Sequence, residues 1–198
     1  MVSQDARERL LKAAIDLFYK KGYSSSSNRE IGNKAKISNS VIYHYFNNKE
    51  EMLTEIINIA INDLLIILDD IQGRIEDPVQ CLKEMLRAHL VDWFLKRKKE
   101  AKIIVTESDW LTGKRKEQNK ITQRKIYAIY KEKLNELKSS GLLIDADLTV
   151  VCFSMIGIIT QSIRWYDESG PLTKEQVAQN VIDFVFNGIL AKDVRPEA

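Results

Sequence analysis

Residues that break secondary structure are scarce in this 198-residue chain, which has eight glycines and three prolines. Alternating runs of β-branched residues are also missing, and these are the usual signature of half-buried strands. Hydrophobic residues make up 44% of the chain, enough to supply a sizeable core. Long periodic segments with few breakers therefore predict an all-α protein.

Residues that bind metals or form disulfides are equally few. Cys81 and Cys152 lie in apolar helical contexts, without a Cys-x-x-Cys pair or a histidine at zinc-binding spacing. We interpret both as reduced core residues; the alternative is a redox-sensing pair, which requires the two sulfur atoms to approach each other. His89 lies on an apolar helix and is interpreted as a core or pocket polar group. No metal or cofactor is predicted.

The chain also lacks the motifs of catalysis and of membrane insertion. It has no glycine-rich phosphate loop, no Glu-x-x-His metal pair and no nucleophile elbow. An enzyme built on a helical bundle is therefore a disfavoured alternative. Charges occur within the first nine residues, and no apolar stretch approaches the roughly 20 residues that span a bilayer. We expect a cytoplasmic protein with no membrane partner.

The formal net charge of +2 is unevenly distributed along the chain. Residues 1–50 carry nine Lys or Arg against five Asp or Glu, a balance of +4. The remainder carries 21 against 23, a balance of −2. This bias indicates that the N-terminal end faces a polyanion such as DNA.

The first 47 residues have the pattern of a helix-turn-helix. An apolar stripe from Arg7 to Lys20 predicts a first helix, and Gly22 supplies a left-handed stop. The serine run 24–27 is not expected to bury anything, and Ser27 with Glu30 forms a capping box that starts a second helix. The second and third helices are thus two short capped helices joined by a tight turn, which is the pattern of a helix-turn-helix.

The third helix, within residues 38–46, is polar at its start and aromatic behind. Ser38 is predicted to cap this helix, after the turn that begins at Lys36. Its apolar side must face the first helix, so the other side is left for a DNA groove. The side chains predicted to face DNA by position are Asn39, Ser40, Tyr43 and His44.

Residues 7–57 resemble the DNA-binding domain of the tetracycline-repressor (TetR) family of bacterial transcriptional regulators. Two departures are Lys36 and Ser40, where the family usually or often has glycine; a positive φ at Lys36 would cost about 1 kcal/mol. The matching elements are Ala13-Ala14, Leu17-Phe18, Gly22-Tyr23, Arg29-Glu30-Ile31 with the polar pair before it, Ala35, Ile37-Ser38, Ile42-Tyr43, Tyr45-Phe46 and Lys49-Glu50.

The resemblance implies a dimer that reads a palindromic operator in double-stranded DNA. Two recognition helices would enter successive major grooves about 34 Å apart. Matched to the family pattern, Ser27 and Asn28 approach phosphates and Arg29 reaches a guanine edge. Residues 38–40 and His44 meet bases or backbone. Tyr43 and Lys49 hold phosphates.

The rest of the chain is predicted to form a ligand-binding and dimerisation domain. The predicted division is 1–47 for the helix-turn-helix domain and 48–198 for the second domain, with about nine helices in all. The later helices are predicted at about 48–72, 78–97, 99–111, 115–139, 146–165 and 173–190.

The last two helices are predicted to pair with those of a second copy. Residues 148–159 are apolar on nearly every side, and the last helix has a broad apolar face. Gly157 and Gly188 would allow helix backbones to approach closely. In the family these helices form a four-helix bundle between protomers. The alternative is that the apolar residues simply fill a monomer core.

A small hydrophobic effector is implied by residues 164–174, which resemble a segment of TetR regulators that respond to fatty acids or acyl-coenzyme A. An acyl chain needs a long apolar tunnel, and the coenzyme phosphates need cations. The predicted lining residues are Ile103, Trp110, Tyr127, Tyr130, Phe153, Met155 and Ile158. The candidate cations are Lys96, Arg97, Lys98, Lys99, Lys102, Lys114, Arg115, Lys116, Lys120, Arg124 and Lys125, whose alternative role is a solvated helix face.

Two alternatives for function stay open at this point. A multidrug-sensing repressor would bind lipophilic cations through aromatic rings and acids such as Glu107 and Asp109. A helical adaptor would not bind DNA at all. For the regulator, we expect the effector to relieve repression by favouring a conformation with lower operator affinity.

Overall fold

The computed structural model describes residues 4–190 and confirms the all-α prediction. Within that range nine α-helices account for most of the chain, and the extended pairing consists of a single isolated bridge between Leu143 and Leu190. The helices are α1 Gln4–Lys21, α2 Asn28–Ala35, α3 Asn39–Tyr45, α4 Lys49–Arg74, α5 Pro78–Arg87, α6 Lys98–Glu107, α7 Gly113–Ser139, α8 Leu148–Trp165 and α9 Lys174–Ile189.

The chain divides into two compact units. The first comprises the residues up to Asn62 together with Lys98–Thr122, and the second comprises Asp63–Arg97 together with the residues from Gln123 onward. The N-terminal unit therefore extends past residue 47 and recruits α6 and the start of α7. The domain bounds 1–47 and 48–198 stay a prediction, and residues 1–3 and 191–198 lie outside the described part.

The end of α1 and the start of α2 form as the sequence predicts. Gly22 ends α1 with φ of 84°, and Ser27 and Glu30 form both hydrogen bonds of the capping box that starts α2. The third cap differs: Ser38 occupies the N-cap position, but its side chain makes no capping hydrogen bond. Its Oγ lies 3.0 Å from the Oγ of Ser40 instead. The sequence did not predict that the Ser40 hydroxyl, two residues along the chain, would be the partner of Ser38.

The loop between α1 and α2 contains a second correction. Ser26, expected to be exposed with its neighbours, is only 4% exposed. Its Oγ donates to the Gly22 carbonyl at 2.8 Å, which satisfies the hydroxyl after it leaves water. The serine run is therefore part of a structured turn rather than a solvated spacer.

Helices α2 and α3 pack unusually closely, and Gly32 makes this possible. A Cβ at this position would lie 2.7 Å from Ile42 Cδ1 and 2.8 Å from the Ile37 carbonyl oxygen. The turn between the helices uses Lys36 with φ of 57°, so the positive φ considered from the sequence is present. The left-handed residue costs about 1 kcal/mol relative to glycine, and the burial of Ile31 and Ile42 offsets it.

The buried sides of α5, α8 and α9 contribute to the core of the second unit. Pro78 begins α5 after the Asp77 cap, at a position where its missing backbone N–H costs no helix hydrogen bond. The helix predicted at 78–97 changes to π-helical geometry over Ala88–Leu95, which periodicity alone does not reveal. Thr173 and Gln176 complete the capping box of α9.

Helix α8 is the one described helix whose length and composition would suffice to cross a bilayer. It has 18 residues, a mean hydropathy of 1.4 and one third of its window buried. Such values are weak evidence for a membrane span, because helices that pack in a soluble core share them.

Replacing Gly32 with alanine should destabilise the helix-turn-helix. The added methyl group meets a backbone carbonyl, so relief requires α2 and α3 to separate, at a cost of about 1 to 3 kcal/mol. Urea unfolding of Gly32→Ala and wild type measures the difference. The matched control is Gly73→Ala in α4, where a Cβ meets nothing within 4 Å. Equal unfolding free energies for the two alanine variants would contradict the close packing.

Candidate DNA-binding site

The outward side of α3 presents the polar residues that the sequence assigned to DNA. Ser38, Asn39, Ser40, Tyr43 and His44 are all exposed. The exposed fraction of Tyr43 is 58%, high for an aromatic ring in a folded domain. The buried side carries Ile42, and Phe46 follows the helix as a buried cap. The helix therefore has the division between packing and contact sides that a recognition helix requires.

The start of α2 contributes the second group of predicted contacts. Ser27 is exposed and its Oγ accepts the Glu30 amide hydrogen at 3.3 Å. Arg29 is exposed on the first turn, whereas Asn28 is partly buried with an Oδ1 atom that has no hydrogen-bond partner. A helix N-terminus presents free backbone N–H groups and the positive end of the helix dipole, which suits a phosphate.

A hydrogen bond from Lys21 is the main cause that lowers the pKa of Glu30 to about 2. Glu30 therefore stays ionised and keeps its capping interactions throughout the physiological pH range. The same carboxylate accepts from the backbone N–H of Ser27 at 2.9 Å. These hydrogen bonds complete the capping box at the start of α2.

Lys49 occupies a different environment from the exposed contact residues. Its Nζ donates to the Tyr23 and Ser26 carbonyl oxygens, both at 2.6 Å, and lies 4.1 Å from the centre of the Tyr23 ring. Burial is the main cause that lowers the pKa of Lys49. Sequence reasoning did not find these partners, because the carbonyl groups are 23 and 26 residues away along the chain.

The residues predicted to line an effector pocket are distributed over both units. Ile103 is fully buried in the first unit, and Trp110 is 49% exposed there with its ring 5.9 Å from Tyr23. In the second unit Tyr130 and Met155 are buried, while Phe153 is 55% exposed beside Tyr127. Ile158 borders the groove between α8 and α9. Met155 lines the same groove as Ile158, whereas Ile103 and Trp110 belong to the other unit.

Several of the candidate phosphate-binding cations have partners within their own unit. Lys99 and Arg115 form ion pairs with Asp16 and Glu50, and Lys120 pairs with Glu117. Lys102 lies 4.7 Å from the centre of the Tyr19 ring. These contacts favour the alternative that the sequence left open for the charge run, a solvated helix face.

A polar cluster occupies the interior of the second unit. His89 is 3% exposed, and its Nδ1 lies 3.1 Å from Tyr130 Oη, which donates to the Met85 carbonyl at 3.2 Å. Burial lowers the pKa of His89 to about 3, so the imidazole is neutral at physiological pH. The geometry favours the interpretation of His89 as a core or pocket group.

The two cysteines are free and buried. Burial raises the pKa of the Cys152 thiol to about 11 and also raises that of Cys81. A protonated thiol is a poor nucleophile, which disfavours the redox alternative. In the described part of the chain, no group of three or more His, Cys, Asp or Glu side chains could hold a metal ion.

An all-α chain with this exposed recognition helix belongs to the class of helix-turn-helix DNA-binding regulators. Residues 10–56 match the family described as bacterial regulatory proteins, tetR family, and residues 76–189 match the tetracyclin repressor-like C-terminal domain. The chain belongs to the TetR family of bacterial transcriptional regulators. Proteins of this family are regulators rather than enzymes.

Relatives with known names cover nearly the whole chain. The transcriptional repressor KstR2 of Mycobacterium tuberculosis is 27% identical over 193 residues, which are 95% of this chain and 94% of KstR2. The structure of that ketosteroid transcriptional regulator superposes with a TM-score of 0.86 at 25% identity, covering 97% of this chain and 98% of the other. The structure of AibR in complex with isovaleryl coenzyme A and operator DNA superposes with a TM-score of 0.82 at 28% identity. This match covers 92% of this chain and 98% of AibR.

Proposed function

We propose that this regulator binds a palindromic operator as a homodimer and releases it when a small hydrophobic effector binds. The exposed polar side of α3 next to the capped start of α2 is the observation that carries the DNA-binding part. In each half-site, Asn39, Ser40 and His44 approach base edges while Tyr43 reaches a phosphate. The protein acts in the cytoplasm, where its operator is.

The start of α2 anchors the backbone of the same half-site. Ser27 and Asn28 offer hydroxyl, amide and backbone N–H donors to phosphates, and Ser38 extends this row at the next helix start. Arg29 is exposed and long enough for a bidentate contact to guanine O6 and N7. Phosphate contacts set the register, and the base contacts of α3 and Arg29 give the specificity.

Alanine at Tyr43 or Arg29 should weaken operator binding. Loss of one such contact in each protomer is expected to reduce affinity by at least about tenfold. The operator is first selected from a random pool of duplex DNA, and the dissociation constants are then measured at fixed salt.

The matched control is Arg124→Ala, which removes the same charge from an exposed position on α7. It should bind as wild type does. If Tyr43→Ala and Arg29→Ala both fold and bind with unchanged affinity, the assignment of the contact side is wrong. If the wild-type protein selects no sequence at any salt concentration, the DNA-independent adaptor is the better explanation.

We infer that the dimer forms through α8 and α9. Large apolar side chains on these helices are exposed in the single chain: Val150 by 64%, Phe153 by 55% and Phe184 by 73%. A Cβ at Gly157 or Gly188 would meet nothing within 4 Å, so their small size serves no close contact inside the described chain. Both observations support a partner helix over the monomer-core alternative.

Replacing Phe184 with glutamate should convert the dimer to monomers, because a charge cannot be buried unpaired in an apolar interface. Sedimentation velocity measures the change, and operator affinity should fall with it. The control is Ile66→Glu, which places the same charge at another large apolar residue, 68% exposed. A Phe184→Glu protein that remains dimeric would rule out this interface.

For the effector we propose a fatty acid or an acyl-coenzyme A thioester. The solved complex of AibR contains isovaleryl coenzyme A. Segment 164–174 also resembles a segment of acyl-responsive TetR regulators. Of the two acids that the multidrug alternative would use, Glu107 already accepts the Tyr23 backbone N–H at 3.1 Å and the Thr106 hydroxyl at 3.0 Å, whereas Asp109 is exposed. The two ligand classes are therefore separated by experiment.

Thermal-shift assays should separate the two ligand classes. At about 100 times its dissociation constant a ligand adds about 2.7 kcal/mol, which raises the melting temperature of a protein of this size by about 5 to 10 °C. We expect this increase with acyl-coenzyme A thioesters of a suitable chain length. Stabilisation by lipophilic cations alone would defeat the acyl proposal in favour of a multidrug sensor.

A further inference from the structure

Lys49 lies at a helix position where a cation is electrostatically unfavourable. It is the first residue of α4, and the N-terminus of a helix carries the positive end of the dipole. Glu50 and Glu51 follow in the first turn, as the dipole favours. A lysine in front of them therefore requires acceptors of its own, and it finds them outside α4.

Those acceptors belong to the loop that leads directly into α2. The Lys49 ammonium group donates to the carbonyls of Tyr23 and Ser26, so it bridges both ends of this four-residue turn. The turn also has its own hydrogen bond from the Ser26 amide to the Tyr23 carbonyl at 3.1 Å. The next residue is Ser27, the cap of α2, so the ammonium group fixes the chain one residue before the proposed phosphate contacts.

Tyr23 is held from its other sides as well. Its backbone N–H donates to Glu107, and its ring lies 5.3 Å from Phe18 and 5.9 Å from Trp110. Neighbouring Glu50 accepts the Thr112 backbone N–H at 2.7 Å and so fixes the start of α4. All of these residues belong to the first unit. The ammonium group therefore joins two anchored segments rather than two mobile ones.

We propose that Lys49 is a positioning residue for operator binding, which sets the place of the α2 N-terminus through the Tyr23 and Ser26 carbonyls instead of neutralising a phosphate. This inference rests on the proposed operator binding. It replaces the role that the resemblance implied for Lys49. Two of the three ammonium hydrogens are already used, and the Tyr23 ring covers one side of the group.

The salt dependence of operator binding distinguishes the two roles. Each neutralised phosphate contributes about 0.9 to the slope of log affinity against log salt, so loss of a phosphate contact in both protomers lowers its magnitude by about 1.8. For Lys49→Met we expect an unchanged slope and a similar loss of affinity, about tenfold, at every salt concentration. Lys131→Met, at an exposed position on α7, should change neither quantity.

A slope reduced by about 1.8 in Lys49→Met would overturn the proposal, and so would an affinity equal to that of wild type. Failure of the proposed function gives a different result, because the wild-type protein would then yield no specific operator and no slope to compare.

Lysine acetylation of the wild-type protein provides a test that does not depend on folding of a variant. A lysine bound to two carbonyls should react slowly in both free and operator-bound protein, whereas a phosphate contact reacts in the free protein and is protected only on DNA. Mass spectrometry compares Lys49 with exposed Lys20 on α1. We expect Lys49 to be modified several-fold more slowly than Lys20 without DNA. Equal acetylation rates for Lys49 and Lys20 in the free protein, together with protection of Lys49 on the operator, would overturn the proposal.

Discussion

The burial of one shared apolar surface is the constraint on which the DNA-binding end depends. Helices α2 and α3 have eight and seven residues, too few to be stable alone in water. They persist because Ile31 and Ile42 are completely buried, together with Phe18 of α1. Gly32 lets the two helices approach until their side chains interlock. The outward residues of α3 keep their orientation only because the inward residues cannot move.

This constraint also explains why the contact side is polar and already ordered. The capping box at Ser27 and Glu30 satisfies the start of α2, and the low pKa of Glu30 keeps it satisfied at any physiological pH. A partner that meets this surface pays little conformational entropy to order it. Tyr43 and Arg29 are exposed, as the proposed contacts with a DNA groove require.

Much of this site was predictable because its signals are local. Capping boxes, a glycine stop and apolar spacing act over three or four residues, so the helix bounds and the outward positions of α3 follow from the sequence. Ser38 shows the limit, since its hydroxyl had a choice between a cap and Ser40. The π-helical segment at Ala88–Leu95 was not predictable, because it has the same apolar spacing as an ordinary helix.

Long-range contacts changed the interpretation of the charged residues. From the sequence, Lys49 was available to DNA and Glu107 to a ligand, yet each forms a hydrogen bond with a backbone group far along the chain. A sequence records the charge of such a side chain but not the distance to its acceptor. The residues of an effector pocket are equally hard to predict from sequence, because apolar residues that line a pocket and those that fill a core have identical periodicity.

By itself, then, the sequence determined the helices, the family and the exposed face of α3, because each depends on the order of neighbouring residues. Only the tertiary structure decided that α6 joins the DNA-binding unit, that Ser26 is buried and that Lys49 is engaged by two carbonyls. The physical reason is that these outcomes depend on which distant segments share the water-excluded space, and no local pattern specifies that.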